Sequence, residues 1–167
     1  MHFIIDGKLF ETFPGLLLGI LVAKNINNTG VLQELQTELR DQEMIVRKQF
    51  STETLSQQPK IDAWRKAYVL FGAKPKEHKS SVENLYRMVL QGKDIRHINT
   101  LVDIYNLISL KHMLPAGAED LDAVRGTIEL TLASRQEPPV LLLGDKEARP
   151  PHEGEVIYKD RIGRAHV

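Results

Sequence analysis

Apolar and polar positions follow two rhythms along the chain, one of period two and one close to 3.6. Residues 2–5 (HFII) and 16–23 are short apolar runs, separated by Asp6-Gly7 and the Phe13-Pro14-Gly15 corner, and predict two strands, the second buried. After the loop NINNTG (25–30) the pattern turns helical: Leu32, Leu35 and Leu39 share one face, followed by Val46, which predicts a helix over about 31–49. STETLSQQP breaks it. Ile61, Trp64, Tyr68 and Phe71 then predict a second helix over roughly 60–71, with Trp64 as a core anchor. GAKPKEHK (72–79) reads as an exposed basic loop. Ser80 and Glu83 have the spacing of a capping box for a helix over about 81–91, which Gly92 ends in the left-handed region. A fourth helix, about 98–111, is expected to turn Ile98, Leu101, Val102, Tyr105 and Ile108 inward.

From Gly126 the period changes to two. Ile128, Leu130 and Leu132 face one way and Glu129 and Thr131 the other, the pattern of a half-buried strand. VLLL (140–143) and EVIYK (155–159) are two more candidate strands. The order of strands, helices and strands predicts an α+β (mixed α/β) fold, read as one domain over 1–167.

The totals remove several classes of function. Cysteine is absent, which excludes disulfides, thiolate catalysis and cysteine-based zinc sites. The longest apolar stretch, Gly15 to Ala23, is too short to span a bilayer, and no basic segment precedes it as in a secretory leader. A cytoplasmic protein with no membrane partner is expected. Motifs for cradling phosphate, dinucleotides or zinc, and the serine-hydrolase elbow, are all missing. The six histidines are scattered, so neither a metal nor a cofactor is expected.

Net charge is zero but unevenly spread. Residues 1–59 balance at −2, residues 60–97 at +5 and residues 98–167 at −3. The middle segment is therefore the natural place for an anionic partner, although solvated lysines on helix faces would read the same way. Its candidate RNA contacts are Arg65, Lys74, Lys76, His78, Lys79 and Arg96, with Lys66, Arg87 and Lys93 nearby. A second constellation is polar. Asn99, Asp103 and Asn106 share a face of the fourth helix, away from its apolar one, running toward Pro115, Gly117, Asp120 and Asp122. Plainer roles are open to these residues: Asn99 as a helix cap, Asp120 or Asp122 as loop braces.

SSVENLYRMVLQGKDIRHINTLVDIYNLISLKHMLPAGAEDLDAVRGTIELTLAS resembles the tRNA-binding and editing domain of the phenylalanyl-tRNA synthetase beta subunit, and more closely its free-standing relatives. The resemblance rests on the IN.LVD.YN helix, the LP.G..DLD loop and the G.I.L strand; AWRKAYVLFGAKPKEHKSS and GEVIYKD extend it. It covers residues 60–160 well and the N-terminal third loosely. It implies an α/β domain with a sheet-rich layer packed with helices, and tRNA or aminoacyl-tRNA as partner. It also implies hydrolysis, in trans, of an amino acid wrongly attached to tRNA. Such correction is needed because an apolar pocket cannot strongly reject an isostere that merely adds a hydroxyl.

In that family a Pro-x-His element follows the helix and its histidine belongs to the editing pocket. Here the proline corresponds to Pro115, and Gly117 stands at the histidine's position. Further pocket residues of the family lie beyond GRAHV, so a domain lacking its C-terminal part is expected. The competing expectation is a non-catalytic domain that retains the fold to bind a small molecule or a protein.

Overall fold

The computed structural model describes residues 2–140, 146–161 and 165–166. In chain order these run β1 (His2–Ile5), α1 (Gly7–Thr12), α2 (Gln33–Gln49), a 3-10 turn (Leu55–Gln57), α3 (Pro59–Leu70), α4 (Ser81–Leu90), α5 (Thr100–His112), β2 (Thr127–Leu132), β3 (Val156–Lys159) and β4 (Ala165–His166). The fold class is α+β. Two compact units result: one gathers Met1–Leu21, Leu70–Ala73 and Glu119–Val167, the other Val22–Val69 and Lys74–Ala118. No helix among the described residues is long and apolar enough to cross a membrane.

The first unit is built on a sheet of order β1-β2-β3-β4. β1 runs parallel to β2, while β2 with β3 and β3 with β4 are antiparallel. The alternation in β2 buries Ile128 and Leu130 as expected, and Ile157 of β3 is buried too. Thr131 departs from the pattern: it was expected on the outer face with Glu129 but is buried. Its hydroxyl donates to Asp6 Oδ2 at 2.8 Å, which satisfies the polar group that burial strips of water.

Asp6 has a second task. Its Oδ1 accepts from the Lys8 amide at 3.0 Å and caps α1, a short helix where the sequence suggested only a turn. That amide bond, then the Thr131 hydroxyl, hold the Asp6 carboxyl below its ordinary value. Before β2, Gly126 has φ +84, and a Cβ there would come within 3.5 Å of Arg161. That contact would be an ordinary one, so it is the left-handed backbone that calls for glycine at this corner.

The strand expected over 16–23 does not form. The Pro14-Gly15 turn is present, but the backbone beyond it joins no ladder, and Leu17 and Leu21 are 93% and 89% exposed. An apolar run declares a preference for burial; a strand also needs an edge to pair with, and the pattern carries no information about that. Val140 makes an isolated bridge to Arg149, whereas residues 141–143 of the candidate VLLL strand lie outside the described residues.

The second unit is helical. Its core contains Leu39 and Val46 of α2, Leu55, Ile61, Val82, Tyr86 and Val89 of α4, Ile95, and Leu107 and Leu110 of α5. Burying one such aliphatic side chain contributes about 1.5–3 kcal/mol. Trp64 packs partly buried against this core, as expected of an anchor. Tyr86 stands edge-on to Phe50, with ring centroids 5.3 Å apart, and donates its hydroxyl to the Leu110 carbonyl at 2.6 Å. Burial pushes its phenol up to about 12.

The inward face of α5 differs from the expected one. Of the residues expected inward, Ile98, just before the helix, and Ile108 are exposed and Leu101, Val102 and Tyr105 are half-buried, while Asp103, Leu107 and Leu110 are buried. Apolar residues surround this helix, so periodicity alone could not choose a face. Asp103 can enter the interior because polar partners wait there for its carboxylate.

A further carboxylate, Glu43 of α2, is also buried. Glu43 Oε1 accepts from the Ile95 amide at 2.7 Å, and its Oε2 from Arg40 at 2.8 Å. Burial raises the Glu43 carboxyl above its ordinary value. Arg47 donates to the carbonyls of Val89 and Lys93 and to Asp94. The loop between α4 and α5 is thereby fastened to α2.

Candidate functional site

Helix α5 carries most of the polar candidates and fixes their spacing. Asn99 is its N-cap, the side chain accepting from the Val102 amide at 3.0 Å. Asn28 takes the Leu101 amide at 2.9 Å, and Thr100 donates to the Gly30 carbonyl at 3.3 Å. One orphan donor of the first turn, the Leu101 amide, is thus met by the NINNTG loop. One turn along, the buried Asp103 Oδ2 accepts from Gln36 Nε2 at 2.5 Å and faces His97 Nδ1 at 2.6 Å. Its Oδ1 is buried without a partner among the described residues. The His97 side chain remains 32% exposed.

The other end of α5 is tied differently. Lys60 Nζ donates to the carbonyl of His112, the last helical residue, at 2.5 Å. Met113 takes the left-handed conformation with φ 50, and Ser109 Oγ donates to the Leu114 carbonyl at 2.6 Å. Pro115 is half-buried and Gly117 exposed. The 13 residues of α5 span about 20 Å at 1.5 Å each, which separates Asn99 and Asp103 from the Pro115–Gly117 turn. Asn106 lies between, half-buried. The expected polar face is therefore a line along the helix, and Asp103 leaves it for the interior.

Asp120 and Asp122 belong to the sheet-bearing unit. Asp120 Oδ1 accepts the Asp122 amide at 3.0 Å, and its carbonyl accepts from Ala123 and Val124. The Asp122 side chain is exposed, and its carbonyl receives Arg125 Nη1 at 3.1 Å. These bonds shape the turn before β2.

The basic candidates divide by what they already hold. Arg65 Nη1 lies 2.9 Å from Oε1 of the buried Glu83, and Arg87 holds the same oxygen. The Ser80 hydroxyl caps α4 through the Glu83 amide, but the Glu83 side chain turns to these arginines instead of closing the box. Lys66 pairs with Asp62, Lys74 with Glu77, and Lys79 donates to the Lys76 carbonyl. Lys76, His78 and Arg96 are exposed, and their side chains make no hydrogen bond or ion pair among the described residues.

His97 and Gln36 were not singled out from the sequence, and Glu83 was read only as half of a capping box. His97 lies six residues before Asp103, in the loop leading into α5, and Gln36 comes from α2, so no local spacing announces the cluster.

A family model described as the B3/4 domain matches residues 63–167, more than half of the chain. No curated protein and no solved structure matches it.

Proposed function

The chain belongs to the B3/4 domain family, the editing-type domain of the phenylalanyl-tRNA synthetase beta subunit, and on that premise we propose that it is a tRNA-binding module. The observation that carries this reading is the pair of exposed, uncommitted cations Lys76 and Arg96, with the exposed His78 beside Lys76, within the most basic stretch of the sequence. Exposed cations without a protein partner can contact a phosphate backbone. Lys74 and Lys79 join them, because their partners are exposed and easily exchanged for phosphate. Arg65 supplies no contact, being committed to Glu83.

The reaction assigned to the module is hydrolysis, in trans, of mischarged aminoacyl-tRNA, a translation-fidelity function acting in the cytoplasm. The aminoacyl end is assigned to the polar side of α5 bearing Asn99 and Asn106, with Asp103 behind it in the interior. Pro115 and Gly117 contribute no titratable side chain, and Asp120 and Asp122 lie outside the assignment. Gly117 also supports a second reading, a non-catalytic module that retains the fold for a small molecule or protein partner.

A tRNA gel shift at near-physiological salt separates the two. The wild type is expected to shift tRNA, and the Lys74→Glu, Lys76→Glu, Lys79→Glu variant to bind more weakly with a flatter salt dependence. Absence of any shift by the wild type overturns the tRNA reading.

A further inference from the structure

Ester hydrolysis at neutral pH needs a group that takes a proton from water and returns it to the leaving oxygen. Among the described histidine side chains, His97 is the one held by a carboxylate, with Nδ1 2.6 Å from Asp103 Oδ2. Gln36 Nε2 reaches the same oxygen at 2.5 Å. Asp103 is 1% exposed, and its other oxygen is buried without a partner among the described residues. An asparagine could tie α2 to α5 through one oxygen without burying a charge. A carboxylate there is costly as a mere tie and effective as an orienter of imidazole. With Nδ1 donating to Asp103, Nε2 is left as an acceptor on the far side of a ring that is about one-third exposed. The exposed Arg96 adjoins it in the chain, suited to a nearby phosphate.

We propose that His97 is the proton-transfer residue for aminoacyl-ester hydrolysis, with Asp103 and Gln36 as its positioning residues; this rests on the tRNA reading above. Nε2 takes a proton from water as the water oxygen bonds to the ester carbonyl carbon. The tetrahedral intermediate then collapses, the bond from that carbon to the ribose oxygen breaks, and His97 returns the proton to the departing oxygen. A free amino acid and a tRNA with a free terminal hydroxyl result, and His97 is restored.

The test uses the full chain and phenylalanine tRNA mischarged with tyrosine, alongside a panel of other mischarged tRNAs. His97→Ala is expected to slow single-turnover deacylation by about 10²–10⁴-fold while leaving the tRNA gel shift unchanged. His97→Asn keeps an N–H for Asp103 but cannot carry the proton, and is expected to be as slow. Added imidazole should restore the His97→Ala rate and leave the wild type unaffected. Wild-type activity in His97→Asn overturns the proposal, as does tRNA binding without deacylation anywhere in the panel. If the wild type binds no tRNA, the tRNA reading fails separately, and 4-nitrophenyl acetate decides His97: equal hydrolysis by wild type and His97→Asn overturns it, faster hydrolysis by the wild type supports it.

Discussion

Arg65 of α3 places Nη1 2.9 Å from Oε1 of Glu83 on α4, joining two helices through a carboxylate with no exposed surface. Arg87 holds the same oxygen, and Glu83 Oε2 has no hydrogen bond among the described residues. A cation that looked available for RNA is therefore spent on the interior. Arg65→Met is expected to cost about 1–3 kcal/mol in urea unfolding, less than the loss of a lone buried pair because Arg87 remains. Its tRNA affinity, measured well below the unfolding transition, should match the wild type. A selective loss of affinity at unchanged stability would return Arg65 to the RNA surface.

Asn99 offers a comparable choice between cap and ligand. Its oxygen accepts the Val102 amide, so Asn99→Ala should destabilise the chain by about 1 kcal/mol, whereas Asn99→Asp preserves the cap. Thermal unfolding of the pair checks this. Equal melting temperatures for Ala and Asp would show that the cap adds nothing.

Gly117 is open to substitution. Its backbone lies outside the left-handed region, and no described atom comes within 4 Å of a Cβ built there. Gly117→His should therefore fold normally, with a gain of up to about 1 kcal/mol from a less flexible unfolded chain. With proton transfer assigned to His97, its deacylation rate should equal that of the wild type. A faster rate would move the chemistry to the C-terminal turn of α5.

Tyr86 predicts the behaviour in alkali. Burial raises its phenol from the ordinary 10.0 to about 12, so the folded chain holds the proton after the unfolded chain has released it. The stabilisation is complete below pH 10 and is lost as pH rises toward 12. Tyr86→Phe should lower stability by about 1–3 kcal/mol at pH 8, because the Leu110 carbonyl loses its donor. It should also decline less steeply between pH 10 and 12, as followed by denaturant unfolding. Tyr68, Tyr105 and Tyr158, also raised by burial, act equally in both proteins.

Helices were legible where a stripe, a cap and a stop coincided: Ser80 starts α4, and Gly92, with φ +81, follows its end. β2 and β3 were legible from alternation. What escaped reading depends on partners distant in the chain. Residues 16–23 are apolar but pair with no strand among the described residues, α1 depends on an aspartate shared with Thr131, and Asp103 is drawn inward by Gln36, 67 residues away. The cations show the same limit. Sequence located the basic segment, yet only the carboxylate of Glu83 separates Arg65 from Lys76.

The parallel pairing of β1 with β2 sets His2 beside Thr127. Closing so long a loop costs about 4 kcal/mol of chain entropy if nothing within it is ordered. Most of that loop is the helical unit, which can shorten it by folding first. During synthesis β1 has no partner among the described residues until residue 127 is made, roughly 6–25 s after residue 2 at ordinary elongation rates. For that interval β1 is an unpaired, largely apolar segment, and the described helices have their complete sequence before this sheet can begin.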